Sequence, residues 1–235
     1  MPPPDGQPRD ALVAERIERE TRTPRAAGIA GLVFAALMIA SLLLLYKHPA
    51  PGSSAQEITA FYLRKDVRNL ALVGLYLAPF SGIAFLWFIA VLRSRVGDRE
   101  DRFLATVFLG SGLLFVAMLF AAAAAAGASL AAVRFQDAPP PSPDAFVFAR
   151  GLAYTFLYIY AVRAAAVFML VVSTIALRTG TLPRWLVFTG YALALVMLFS
   201  VSYFKGFVLV FPAWVATASI IILLSERSEA HRAAA

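Results

Sequence analysis

The chain has 235 residues, of which 60% are hydrophobic and 15% charged, with 21 Lys and Arg against 14 Asp and Glu, a formal net charge of +7 and no cysteine. A water-soluble domain carries roughly a quarter charged residues, and here the apolar residues are gathered into runs too long and too uncharged for a water-facing fold; without thiols, disulfides, thiolate metal sites, iron–sulfur clusters and a cysteine nucleophile are excluded. The basic excess does not point to nucleic acid, because the cations are scattered through short loops between long uncharged runs and form no patch.

Residues 1–25 open on Met-Pro-Pro-Pro and continue with mixed charge, which predicts an unstructured start and a short surface helix in a cytoplasmic tail. The first apolar run, 26–46, holds no charge and at about 20 residues exceeds a signal-peptide core, so it reads as a retained transmembrane helix. Lys47, His48 and Pro49 close it. Ser54 and Glu57 then stand at capping-box spacing, which predicts a helix start where side chains satisfy the free backbone amides. Ile58, Phe61 and Tyr62 share one face of that helix, and Arg64, Lys65 and Arg68 crowd its far end. The pattern predicts an interfacial helix.

The second span, 70–92, contains Pro79, where a kink is expected because proline frees the carbonyl one turn earlier. The charged loop 93–102 must be wet. The third run, 103–133, is longer than the ~30 Å hydrocarbon core requires at ~1.5 Å per residue, so it must tilt or protrude. Its second half, Ala121 to Ala126 with Gly127, Ala128 and Ser129, is nearly free of side chains, which predicts a tightly packed interior helix. Pro139, Pro140, Pro141 and Pro143 predict a stiff connector over 136–150. Spans four, five and six follow at 151–177, 185–204 and 207–224, with Lys205 and Gly206 as the turn between the last two, and 225–235 as a second cytoplasmic tail. The fold class is therefore all-α: a polytopic transmembrane bundle of about six helices over 26–224. Of the Lys and Arg, 13 fall on the side of the N-terminus and 7 on the other, which predicts both ends in the cytoplasm.

Arg163 lies near the middle of span four, about 12 residues or ~18 Å from either end and beyond the reach of a snorkelling side chain. A central arginine costs a few kcal/mol even on lenient scales, so it must face the bundle interior or a wet cavity. Two roles satisfy that requirement. It can staple helices by donating to carbonyls, or it can line a cavity for an anionic or amphiphilic ligand together with Tyr154, Tyr158 and Tyr160 on the same helix. Substitution by Leu separates the two, because a purely structural residue leaves ligand binding untouched.

Other chemistry lacks its parts. His48 and His231 lie outside the spans, so paired haem ligation is excluded, and no clustered His and carboxylate offers a zinc or di-iron site. Lys205 divides two spans of proper length and is read as a turn. Gly110, Ser111 and Gly112 have no phosphate-loop lysine, and Asp98, Glu100 and Asp101 are neutralised by Arg95, Arg99 and Arg102. Span hydroxyls have no base to activate them. No catalytic residue, cofactor or metal is expected, and the chain is not expected to be an enzyme.

Three stretches, EITAFY at 57–62, PFSGIAFLWF at 79–88 running on to GDREDRF at 97–103, and Arg163 followed by IALRTGTLPRW at 175–185, resemble uncharacterised bacterial multi-pass membrane proteins of high-GC genera. The resemblance covers about 26–224 and implies a six-helix inner-membrane protein of a domain-of-unknown-function kind, without activity or site residues to carry over. Two function classes follow. One is a non-enzymatic interaction, assembly or regulatory component of the inner membrane, meeting a membrane-protein partner or a second copy of itself. The other is a small permease, channel or lipid-binding protein with an anion- or headgroup-binding cavity around Arg163, taking an anionic lipid or small anion. Beyond the lipid bilayer, nucleic acid is not expected as a partner.

Overall fold

The computed structural model describes the backbone of residues 9–45, 49, 52–96, 102–200 and 205–233, and the side chains of 26–45, 49, 52–93, 102–200 and 206–225. The expected disorder at 1–8, the loop core at 97–101, Lys47 and His48, the end of span five at 201–204 and the tail side chains lie outside these residues. Among the described residues all regular structure is helical: α1 (Arg9–Leu45), α2 (Ala55–Leu63), α3 (Lys65–Val96), α4 (Arg102–Phe135), α5 (Pro143–Tyr154), α6 (Val162–Thr179), α7 (Arg184–Phe199) and α8 (Val210–Ala233). A π-helical segment, Thr155–Ala161, fuses α5 to α6, and a 3-10 segment, Lys205–Leu209, leads into α8.

Among the described residues five segments are long and apolar enough to cross a membrane: Ala26–Leu45, Lys65–Arg93, Arg102–Phe135, Pro143–Thr179 and Gly206–Ser225. Their outward faces carry large apolar side chains. Trp87 is 68% exposed and Phe103 69%, and Phe199 on α7 is 77% exposed. Such a surface is costly in water and costs nothing in lipid, so by length, composition and outward face the chain is a multi-pass helical membrane protein. The sixth apolar helix, α7, has 16 residues, about 24 Å at 1.5 Å per residue and short of a full crossing by itself.

Local signals set several boundaries. Ser54 accepts from Glu57 N–H while Glu57 reaches back to Ser54 N–H at 2.8 Å, so the predicted capping box forms and α2 buries Ile58, Phe61 and Tyr62. α3 runs unbroken through Pro79. α5 begins at Pro143, eight residues before the predicted span. Ser142 caps it by accepting from Ala145 N–H, and proline at the first helical position loses no bond because that amide would be free anyway. Only Gln136 to Ser142 remains as the connector. Gly180, at φ +69°, takes the left-handed conformation that ends α6 and turns the chain into α7.

α1 packs along α3 and against α8, α4 against α3, α5 and α6, and α6 against α7. The expectation of an interior helix at the alanine run holds only in part: Gly127 packs tightly on Leu75 of α3, but the most apolar 18-residue stretch of Arg102–Phe135 is 33% buried, against 67% for that of Pro143–Thr179. Alanines cover little surface, so the alanine-rich half of α4 walls a cavity; the centre of the bundle goes to α6, whose Ala164, Ala165, Ala166, Phe168 and Met169 are all buried. At mid-height Phe34, Phe85, Phe115, Phe168 and Phe211 form a fully enclosed aromatic cluster, with neighbouring ring centroids 4.7–6.0 Å apart. Edge-to-face packing of this kind adds about 0.5–1.5 kcal/mol per pair beyond area burial.

Candidate functional site

One turn from the aromatic cluster, towards the end of the bundle that carries α2, the helices separate. Met38 lies four residues beyond Phe34, Ser81 four before Phe85 and Leu119 four beyond Phe115, and these three form the floor of a cavity of about 100 Å³. Its walls are apolar side chains of α1, α4 and the α5 segment, including Leu42, Ala126 and Leu157. The cluster beneath makes it a blind cavity, with no polar path through the bundle centre.

The polar groups of the wall are few and mostly spent. Ser41 Oγ donates to the Gly74 carbonyl at 2.7 Å, and Ser81 Oγ to the Phe34 carbonyl at 3.4 Å. The first of these needs glycine, since a Cβ at residue 74 would lie 2.9 Å from Leu44 Cβ and 3.1 Å from the Ser41 carbonyl. Tyr62 and Ser129 hydrogen-bond across from α2 to α4; burial raises the Tyr62 phenol above its ordinary pKa, more than this bond lowers it, so the hydroxyl stays neutral.

Arg150 supplies the charge. It stands two turns into α5, half-buried on the cavity wall, with Tyr154 one turn on. Its guanidinium carbon lies 4.8 Å from the centre of the Tyr154 ring, Nη2 donates to Tyr154 Oη at 2.5 Å and Nη1 donates to the Pro49 carbonyl at 2.5 Å. Its Nε–H is enclosed and bonded to nothing. Among the described residues no carboxylate lines the cavity.

The residues expected to share a site divide. Tyr154 and Tyr158 both line the cavity, their rings 5.2 Å apart, and Tyr158 is 2% exposed. Tyr160 points outward, 53% exposed, its ring tilted 45° to that of Phe156 with centroids 6.4 Å apart. Arg163 does not line the cavity. Its Nη1 donates to the carbonyls of Tyr158 and Ile159 at 2.9 and 3.1 Å, and its Nη2 to that of Ser200 at 3.2 Å. The physical reason is the π-helical segment. Val162 N–H bonds Leu157 O across the widened turn, and the return to α-helical spacing leaves a carbonyl short of an amide just where the guanidinium sits. Ser200, with extended backbone, ends α7, so the same cation also faces the negative end of that helix. Arg163 therefore clamps α7 to the π turn.

No protein-family profile, curated protein or solved structure matches this chain. The site is read on its own geometry. Sequence reasoning missed Arg150 because the four prolines placed it in the connector. The signal that would have found it is Ser142-Pro143-Asp144, a cap residue followed by proline and an acid, which starts a helix early enough to set Arg150 one turn before Tyr154.

Proposed function

We propose that this protein is a non-enzymatic, multi-pass component of the bacterial inner membrane that binds an amphiphilic ligand in the blind cavity beside Arg150. The observation that carries the reading is the combination of an apolar chamber, closed below by five phenylalanines, with one cation on its wall. Apolar pockets with a few placed polar groups are the usual form of small-molecule sites. The role is binding, in the service of another membrane component or of the ligand itself. A permease or channel around Arg163 loses support, because that side chain is spent on carbonyls.

Six crossings with both ends in the cytoplasm fit the packing. Gly28 of α1 sits against Leu223 of α8, and Thr181 and Leu182 of the α6–α7 turn sit with Ala218 and Ile222 of α8. The start of the α1 span at Gly28, the end of the α8 span at Leu223 and that turn thus gather at one end of the bundle. For this to hold, α7 and the residues after it must carry the chain back across. The distribution of Lys and Arg assigns that end to the cytoplasm, which turns the cavity towards the outer leaflet.

Native mass spectrometry of protein purified in a mild maltoside detergent tests the reading. Wild type should retain an amphiphile, and Ala126→Trp, which fills the chamber, should lose it while still folding. Equal retention by both, or none by wild type even after incubation with a bacterial lipid extract, would count against it.

A further inference from the structure

The charge balance of the cavity goes further than amphiphile binding in general. Arg150 spends Nη1 and Nη2 on two neutral acceptors, the Pro49 carbonyl and the Tyr154 hydroxyl, and leaves Nε–H without any. Neither the cavity wall nor the sequence around Pro49, Tyr46 to Pro51, holds an acid. The Arg150 guanidinium places a positive charge among apolar side chains, and among the described residues no acid in the wall stands against it. A part-buried charge without a counter-ion is costly, and among the described residues none is set against it.

The neutral polar groups point the same way. Ser41 and Ser81 have given their hydrogens to backbone carbonyls, and Tyr62 and Ser129 are bonded to each other. A cationic head would meet like charge. A neutral head would leave the Arg150 charge unbalanced. The volume decides the tail: about 100 Å³ is of the order of the ~150 Å³ apolar cavity that admits a single benzene ring. That is room for a few methylene groups of one chain, with none left for a second chain beside it.

We infer that the cavity's ligand is a single-chain anionic amphiphile, its carboxylate or phosphate head paired with Arg150 beside Tyr154 and its chain directed past Leu42 and Leu157 towards the phenylalanine floor. This rests on the amphiphile reading given under Proposed function and adds the sign of the head, the number of chains and the residue that selects them. Planar, forked pairing with carboxylate or phosphate is what a guanidinium offers and an ammonium does not.

The test uses the full chain in phosphatidylcholine nanodiscs and radiolabelled laurate in a scintillation proximity assay. Binding should be saturable, competed by dodecyl phosphate, and not competed at equal concentration by 1-O-dodecylglycerol, dodecyltrimethylammonium or inorganic phosphate. Arg150→Gln should weaken it at least tenfold and Arg150→Lys by less, with size-exclusion profiles unchanged. If Arg150→Gln fails to fold, Tyr154→Phe, which removes the hydroxyl that orients the guanidinium, should still weaken laurate binding severalfold. Equal competition by the neutral glycerol ether, with no effect of Arg150→Gln, would overturn the anionic assignment and leave amphiphile binding standing. Competition by inorganic phosphate as strong as by dodecyl phosphate would make the ligand a small anion and overturn the single-chain assignment. Laurate binding undiminished in Ala126→Trp would remove the cavity itself, and the proposed function with it.

Discussion

Arg150 and Arg163 lie on one uninterrupted run of helix, and the difference between them is what remains once the protein's own bonds are made. Arg163 meets three carbonyls, two from a π-helical turn and one from the end of α7, and its charge is absorbed by backbone dipoles. Arg150 meets one carbonyl and one phenol and keeps an enclosed N–H without a partner. The lesson is that an arginine in a membrane segment is not marked as functional by its depth. The deeper of the two has given its bonds to backbone carbonyls, and the one with bonding capacity to spare stands near the helix start, against a cavity.

The comparison breaks most easily at Arg163. Arg163→Leu should cost on the order of 3 kcal/mol, since bonds from a charged donor are worth about 1.5–3 kcal/mol each and this one is only half-buried. Differential scanning fluorimetry in detergent should show a fall of roughly 6–12 °C in Tm, with Arg163→Lys intermediate because a single ammonium cannot span all three acceptors. A Tm equal to wild type would remove the clamp. Next in size is the separation of stability from binding. Arg150→Gln should lose at least tenfold in laurate affinity with a Tm drop well below that of Arg163→Leu, whereas the surviving folded fraction of Arg163→Lys should bind laurate within about threefold of wild type; the opposite pattern would exchange the two roles.

Smaller effects sharpen the contrast. Ser142→Ala removes the cap of the helix that carries Arg150 and should cost about 1 kcal/mol, roughly 2–4 °C. It should also speed amide exchange over residues 143–150 and leave exchange around Arg163 unchanged. Ser41→Ala deletes one hydroxyl bond to the Gly74 carbonyl, and side-chain bonds between membrane helices average about 0.6 kcal/mol. A Tm shift of roughly 1–2 °C is expected, without effect on the selectivity for anionic over neutral amphiphiles.

How far the sequence could be read differs from element to element. The capping box at Ser54 and Glu57 and the three residues buried behind it were legible, because a cap is a contact within four residues. The start of α5 was legible in principle from Ser142 and Pro143, and was obscured by reading a row of prolines as a break throughout. The alanine run of α4 was legible on one side only. Gly127 admits Leu75 of α3, where a Cβ would lie 2.3 Å from Leu75 Cδ2, as small residues suggest, whereas Ala122, Ala123 and Ala126 line a chamber that no local pattern announced.

What the sequence by itself determined is the set of apolar segments and their caps, because the cost of charge in hydrocarbon and the hydrogen bonds of helix ends are decided over a few neighbouring residues. The roles of the two arginines were decided only in three dimensions. A helix face is a matter of rotational phase, at about 100° per residue, and the widened turn at Thr155–Ala161 resets that phase between Arg150 and Arg163. No local pattern records the reset. Arg163 joins that turn to the end of α7 at Ser200, a contact 37 residues away along the chain, and packing at such a distance fixes which cation is satisfied and which is left facing the cavity.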